Sequence, residues 1–134
     1  MTLEVHVVTP EREVWTGRAQ MLVARGVDGE VGILAGHAPM LVQLAIGPLR
    51  VHREGGELLS AVVDGGFLHI GTHEGVTRAH VLATQAELAA EIDVDEARRV
   101  LAELEGRRAE LEETELEALK VEVQKAQARV KLAG

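Results

Sequence analysis

At 134 residues the chain has room for one ordinary domain, or a small domain with an appendage. Trp15 and Phe67 are its only aromatics, so any core is aliphatic and no aromatic platform exists for stacking bases or sugars. The net charge of −8 argues against nucleic acid or an anionic lipid surface as partner, and the absence of cysteine excludes disulfides, thiolate metal sites and Cys nucleophiles.

In chain order, Leu3, Val5 and Val7 alternate with Glu4 and His6, the pattern of a half-buried strand that stops at Pro10. The start, MTLEVHVVTPERE, has neither the basic opening nor the apolar run of a signal peptide, and no stretch approaches the ~20 apolar residues that span a bilayer. A soluble chain is expected, cytosolic or seated on a membrane complex. Met21 and Val23 belong to a second β-rich run, ended by the turn GVDGE at 26–30. LRVHR at 49–53, the turn EGGE and LLSAVV at 58–63 predict a hairpin. Asp64-Gly65-Gly66 is expected to close that strand and Phe67-Leu68-His69-Ile70 to open another, which GTHEG at 71–75 reverses into 76–83.

The composition changes near residue 86. Every His and Pro lies before it, and the first Lys of the chain is Lys120. Residues 1–86 hold 6 basic and 9 acidic groups, and residues 87–134 hold 8 and 13, so −3 and −5 make up the −8. The expected fold is an N-terminal antiparallel β-sandwich over 1–86, then a C-terminal two-helix hairpin over 87–134 with helices at about 94–110 and 115–132. Asp93 and Glu96 have capping-box spacing, followed by the stripe Ala97, Leu101, Leu104, Leu111. Thr114 and Glu117 suggest a second box, opening the stripe Leu116, Leu119, Val123, Ala126, Val130. The stripes are out of phase by one position, which favours a turn near 111–114; one long bent helix is the alternative.

Motifs of chemistry are missing. Gly29, Gly32 and Gly36 lack the Gly-Lys-Ser/Thr ending of a phosphate loop and are read as turn or bulge glycines. His69 and His73 straddle a turn, where a four-residue spacing does not converge on a metal. Ser60 is the only serine and sits mid-strand. Neither a catalytic constellation nor a metal site is expected, and the chain is read as a non-enzyme.

Three stretches carry a resemblance. GEVGILAGHAPML at 29–41, VDGGFLHI at 63–70 and VDEARR at 94–99 resemble, in order and spacing, hallmark motifs of the epsilon subunit of F-type rotary ATP synthases. Ala35 stands where the family commonly has Pro, and Arg99 where the last motif ends in Ala. The resemblance implies a central-stalk subunit that turns with the gamma subunit and the c-ring, on the cytoplasmic side of a bacterial plasma membrane or its thylakoid equivalent. Glu30, Gly36, His37 and Pro39 fall on the loop that would face gamma and the ring, the alternative being a purely structural turn. The arm is implied to restrain ATP hydrolysis by extending towards the alpha/beta catalytic head. Lys120, Lys125, Arg129 and Lys131 would make the contacts, or else only complement the helix dipole.

Family members that bind ATP in the folded arm suggest Asp95, Arg98, Lys125 and Arg129 as matching positions for a regulatory nucleotide. Lys125 departs from an expected Arg and lacks its bidentate fork, and Asp95 with Arg98 has the spacing of a plain helix ion pair. No other cofactor is implied. A stand-alone sandwich adaptor dimerising through a coiled coil at Leu116–Val130 is the competing architecture.

Overall fold

A computed structural model of the chain describes residues 1–108 and 112–133, with only the backbone at 113 and 114. Seven strands precede two helices: β1 (Thr2–Val8), β2 (Glu13–Gly26), β3 (Gly29–Ile33), β4 (Met40–Arg53), β5 (Leu58–His73), β6 (Val76–Leu82) and β7 (Ala86–Leu88). A 3-10 turn at Ala89–Glu91 leads into α1 (Val94–Gly106), and α2 spans Glu113–Ala133.

The alternation in β1 works as its composition demands: Leu3, Val5 and Val7 are buried while Glu4 and His6 are half-buried. β1 pairs with β2 on one side and β6 on the other, closing the order β1-β6-β5-β4-β2 into a ring flattened as a sandwich. β3 extends β2, and β7 extends β5. One ladder departs from the antiparallel rule: β1 runs parallel to β6. No tight turn joins those two strands, so nothing forces them to be antiparallel. In β2 the inward positions are Leu22 and Ala24, leaving Met21 and Val23 on the half-buried face. The interior is aliphatic, with Leu3, Leu22, Ile33, Leu49, Leu68 and Ile70 fully buried. Each such side chain contributes about 1.5–3 kcal/mol of burial.

The expected strand break at Asp64-Gly65-Gly66 is a bend. β5 continues through it because β4 stays paired on both sides, Ile46 opposite Asp64 and Leu44 opposite Gly66. Gly65 and Gly66 take φ of +107° and +123°, values that keep other residues out. Just before the bend, Ala61, Val62 and Val63 are all buried. Ala61 and Val63 enter the sandwich core, while Val62 turns outward to a second cluster with Ile92, Ala97 and the last turns of α2. The arm therefore lies on the sandwich.

At the start of α1, the Asp93 carboxylate accepts from the Glu96 N–H at 3.0 Å, as the capping spacing predicts. The helix ends at Gly106, short of 110. α2 starts earlier than the Thr114–Glu117 box implies, since the Glu112 carbonyl accepts from both Glu115 and Leu116. Leu119, Val123 and Ala126 of the second stripe are buried. Leu111, where the expected turn at 111–114 begins, lies outside the described residues, as do 109 and 110 of the expected first helix. β7 also carries the sheet past residue 86.

A Cβ on Gly66 would run into the Leu82 carbonyl and sit 2.9 Å from Ala83 Cα. Gly66→Ala is expected to destabilise the chain by about 3 kcal/mol from strain and backbone overlap. Urea unfolding of both proteins measures it; an unchanged midpoint would mean the bend is not constrained as described.

Candidate functional site

Three features stand out, at two ends and one face of the sandwich. The first is the loop after β3. Gly36 takes φ +85°, and its N–H donates to Thr77 Oγ1 at 2.7 Å. Thr77 is fully buried and hydrogen-bonds Thr72 Oγ1 at 2.9 Å, so a threonine pair on β5 and β6 moors the loop. The His37 N–H closes a turn onto the Leu34 carbonyl at 3.1 Å, and its ring Nδ1 donates to the Ala38 carbonyl at 2.8 Å. Pro39 is exposed, and Glu30, exposed at the start of β3, lies opposite Arg25.

The second feature is the outer face of β4, β5, β6 and β1. Register aligns Leu41, His69, His80 and His6 in one row, with Gln43, Phe67, Leu82 and Val8 in the next. Leu41, Phe67 and Leu82 are exposed to 67%, 48% and 51%. Beside them the His6 and His80 rings stack at 4.8 Å, and the His69 ring lies 6.4 Å from His80. Burial pushes the His80 imidazole down from its usual range, assisted by His6, His69 and Arg78. Among the described residues no group of His and acids is placed to hold a metal ion.

The third feature is the seam between arm and sandwich. The Arg129 guanidinium on α2 donates from Nε to Glu87 Oε1 at 2.8 Å and from Nη2 to Glu96 Oε2 at 2.7 Å. Glu87 belongs to β7 and Glu96 to α1, so one side chain ties three elements. The hydrogen bonds it donates to Glu96 and then Glu87 push the guanidinium further up, and Arg129 in turn holds the Glu96 carboxyl below its ordinary range. One turn earlier, Lys125 lies 3.6 Å from the Asp64 carboxylate, which also accepts the Gln85 N–H at 2.7 Å. At the same seam Arg12 forms a two-bond pair with Glu91.

These groups border a cleft of about 510 Å³. Glu11, Asp64, Glu87, Glu96 and Glu122 line it as carboxylates, against Arg12, Lys125 and Arg129. Lys125 and Arg129 thus meet there. Asp95 and Arg98 are exposed on α1 and are not part of the lining, so the four positions suggested for ATP are not brought together. Lys120 is exposed and pairs with Glu117 at 3.0 Å, and Lys131 is exposed near the end of α2.

Residues 2–89 match the family model for the ATP synthase, Delta/Epsilon chain, beta-sandwich domain. The chain is 43% identical over 134 residues to the ATP synthase epsilon chain of Thermobifida fusca, covering 98% of this chain and 91% of that one. This chain belongs to the ATP synthase epsilon chain family. The Frankia casuarinae epsilon chain is 48% identical over 88 residues, which are 66% of this chain but 99% of the relative. A chain of the Euglena gracilis mitochondrial ATP synthase shares the fold, with a TM-score of 0.80 at 24% identity over 98% of this chain and 81% of that one.

What sequence reading missed in this epsilon-family chain is the partners of residues it did single out. Gly36 and Arg129 are visible as motif positions, but Thr77, Glu87 and the His6–His80–His69 row depend on strand register, which a sequence leaves open. The only available signal was that His6, His69 and His80 each alternate with apolar neighbours.

Two outcomes follow from this geometry. Thr77→Val leaves the Gly36 N–H without its acceptor and should cost about 1–3 kcal/mol, with faster amide exchange at 36–38; unchanged exchange would refute the mooring. Because the His80 pKa is lowered on folding, the unfolded chain takes up the proton first. Stability should be full above about pH 6.5 and fall as the pH drops below it. His80→Gln should flatten that part of a thermal-melt pH series, and an identical slope in the variant would place its origin elsewhere.

Proposed function

We propose that this chain is a non-catalytic central-stalk subunit of a rotary ATP synthase, working on the cytoplasmic side of the energy-transducing membrane. The observation that carries the reading is the apolar strip Leu41–Phe67–Leu82, three exposed large side chains brought together on one face of the sheet. An apolar strip of this kind is where a permanent partner shields surface from water, and the gamma subunit is the partner the family implies. The loop at Gly36, His37 and Pro39 faces the c-ring, with Glu30 contributing from β3. The loop lies at the β1 start, beside Met1 and Thr77, and the arm seam at its other end, beside Thr9 and Arg12. Seven residues of β1 separate them by about 20 Å. Ring contact and arm movement therefore have separate ends of one rigid body.

The arm regulates. Folded, it spends Leu119, Val123 and Ala126 on its own chain; extended towards the alpha/beta head, it offers Lys120, Lys125, Arg129 and Lys131 to acidic surface and slows ATP hydrolysis. Support for dividing the labour this way comes from the Frankia casuarinae relative, which 88 residues match over 99% of its length, as many as lie in the matched domain 2–89 here. A sandwich-length chain carries the same family name without a second segment of this size.

A catalytic head stripped of its epsilon subunit tests both parts. Full-length chain and residues 1–90 should bind it equally, and only the full chain should lower its ATPase rate. Phe67→Glu should weaken binding of either form at least tenfold, about 1.4 kcal/mol. Failure of both forms to bind a well-matched head would sink the stalk assignment, and equal inhibition by both would sink the arm's role.

A further inference from the structure

If the arm is to leave the sandwich, as the proposed regulation requires, a small set of contacts must break. Among the described residues Arg129 is the one cation that touches the sandwich through Glu87 and α1 through Glu96 at the same time. Both edges of its guanidinium are occupied: Nε and Nη2 by Glu87, Nη1 and Nη2 by Glu96. A planar fork with five donors suits this double pairing, and lysine could not reproduce it.

Two further observations point the same way. Glu96 stands at the third position of α1, where a capping box would turn its carboxylate back to the Asp93 N–H. It goes to Arg129 instead, while Asp93 keeps only its own half of the cap. The geometry at Lys125 is equally prepared. Asp64 is almost buried, with 9% of its side chain exposed, and is fixed by the Gln85 N–H before Lys125 approaches. The apolar side of the seam mixes small and large side chains, Ala128 and Ala133 with Val130 and Leu132 of α2 against Val62, Ile92 and Ala97, and the ion pairs lie at its edge.

We infer that Arg129, Glu87 and Glu96, with Lys125 and Asp64 as a second strut, form a built-in latch that holds the arm down without a nucleotide. The carboxylates supply from within the chain the negative charge that an anionic ligand would otherwise bring. With five carboxylates lining the cleft against three cations, an incoming phosphate meets an excess of like charge and donors already engaged. It competes with the latch rather than cementing it. The arm position is thereby set by the catalytic head's own surface, which can offer Arg129 an alternative set of carboxylates.

This rests on the regulatory reading of the arm, but it is tested on the isolated full-length chain with no head present. Since the sequence has no cysteine, Glu11→Cys on the sandwich rim of the cleft and Gln127→Cys on α2, beside the cleft-lining Ala126, introduce a single spin-label pair. Pulsed EPR should give one short distance, unchanged by millimolar ATP. Arg129→Met should raise the fraction at long distance on the order of tenfold. Glu87→Gln combined with Glu96→Gln, which keeps shape and removes charge, should do the same, and Arg107→Met, whose side chain pairs with Glu103 within α1, should do nothing. Far-UV circular dichroism confirms that each variant keeps its sandwich. A wild-type distance in Arg129→Met, or a long distance in the wild type that ATP shortens, would overturn the latch. Neither result would affect docking of the sandwich to a head, and loss of docking would leave the distances as they are.

Discussion

Ala61, Val62 and Val63 are buried in succession, which a strand can manage only where both of its faces are covered. That constraint on β5 organises the molecule. One face supplies the sandwich core through Ala61 and Val63, and the other receives the arm at Val62. Asp64 then holds Lys125 at the edge of the contact, and Gly65-Gly66 bends the strand away from the arm. Beyond the bend the alternation returns: Leu68 and Ile70 point inward, and Phe67 and His69 come out on the open face. Core, arm seat and part of the exposed strip are thus consecutive segments of a single strand.

The open face follows a different logic from the seam. The polar side chains nearest the strip are Gln43 and the imidazoles of His69, His80 and His6, whose apolar ring edges prolong the strip of Leu41, Phe67 and Leu82. At the seam the opposite choice is made, with full charges in facing pairs. A face meant to stay covered gains from low charge, because desolvating ions is costly. A contact that opens, as proposed for the arm, gains from groups that water can solvate again. The distribution of His against Arg and Lys over the two surfaces therefore agrees with one permanent and one releasable contact.

Much of this was readable in the sequence, for reasons that differ by element. β1 and the hairpins were legible because their alternation and Gly-bearing turns are local properties, and Glu74-Gly75 turns the chain between His73 and Val76 as its residue types suggest. The second helical stripe was legible because 3.6-residue periodicity survives whatever the helix packs against. The Gly65-Gly66 bend was misread as an end because glycine pairs serve both purposes, and only pairing with β4 decides between them. The same holds for the site. Arg129 and Lys125 announce themselves as basic residues four apart, but their carboxylates lie on β7, α1 and β5, as far as 61 positions away in the case of Asp64. Long-range pairing of that kind has no sequence signature within one chain.

The energetics of the seam determine what sort of device the arm makes. Val130 and Leu132 of α2 pack with Ala128 and Ala133 against Val62, Ile92 and Ala97, and each large side chain fully buried in such a contact contributes about 1.5–3 kcal/mol, an alanine less. Against this, a freed hairpin gains orientational freedom but keeps its helices, so releasing it does not carry the entropy of unfolding. The proposed regulation requires the folded arm to be ahead by only a few kcal/mol, the range in which a minor state stays populated at the per cent level and a partner can reverse the balance. The ion pairs fix where that balance lies. They do so without adding a large buried apolar area, which would have made the folded arm permanent, and they are made of groups that another charged surface can satisfy equally well. A seam built from more leucine and less arginine would be stronger and would no longer answer to a partner.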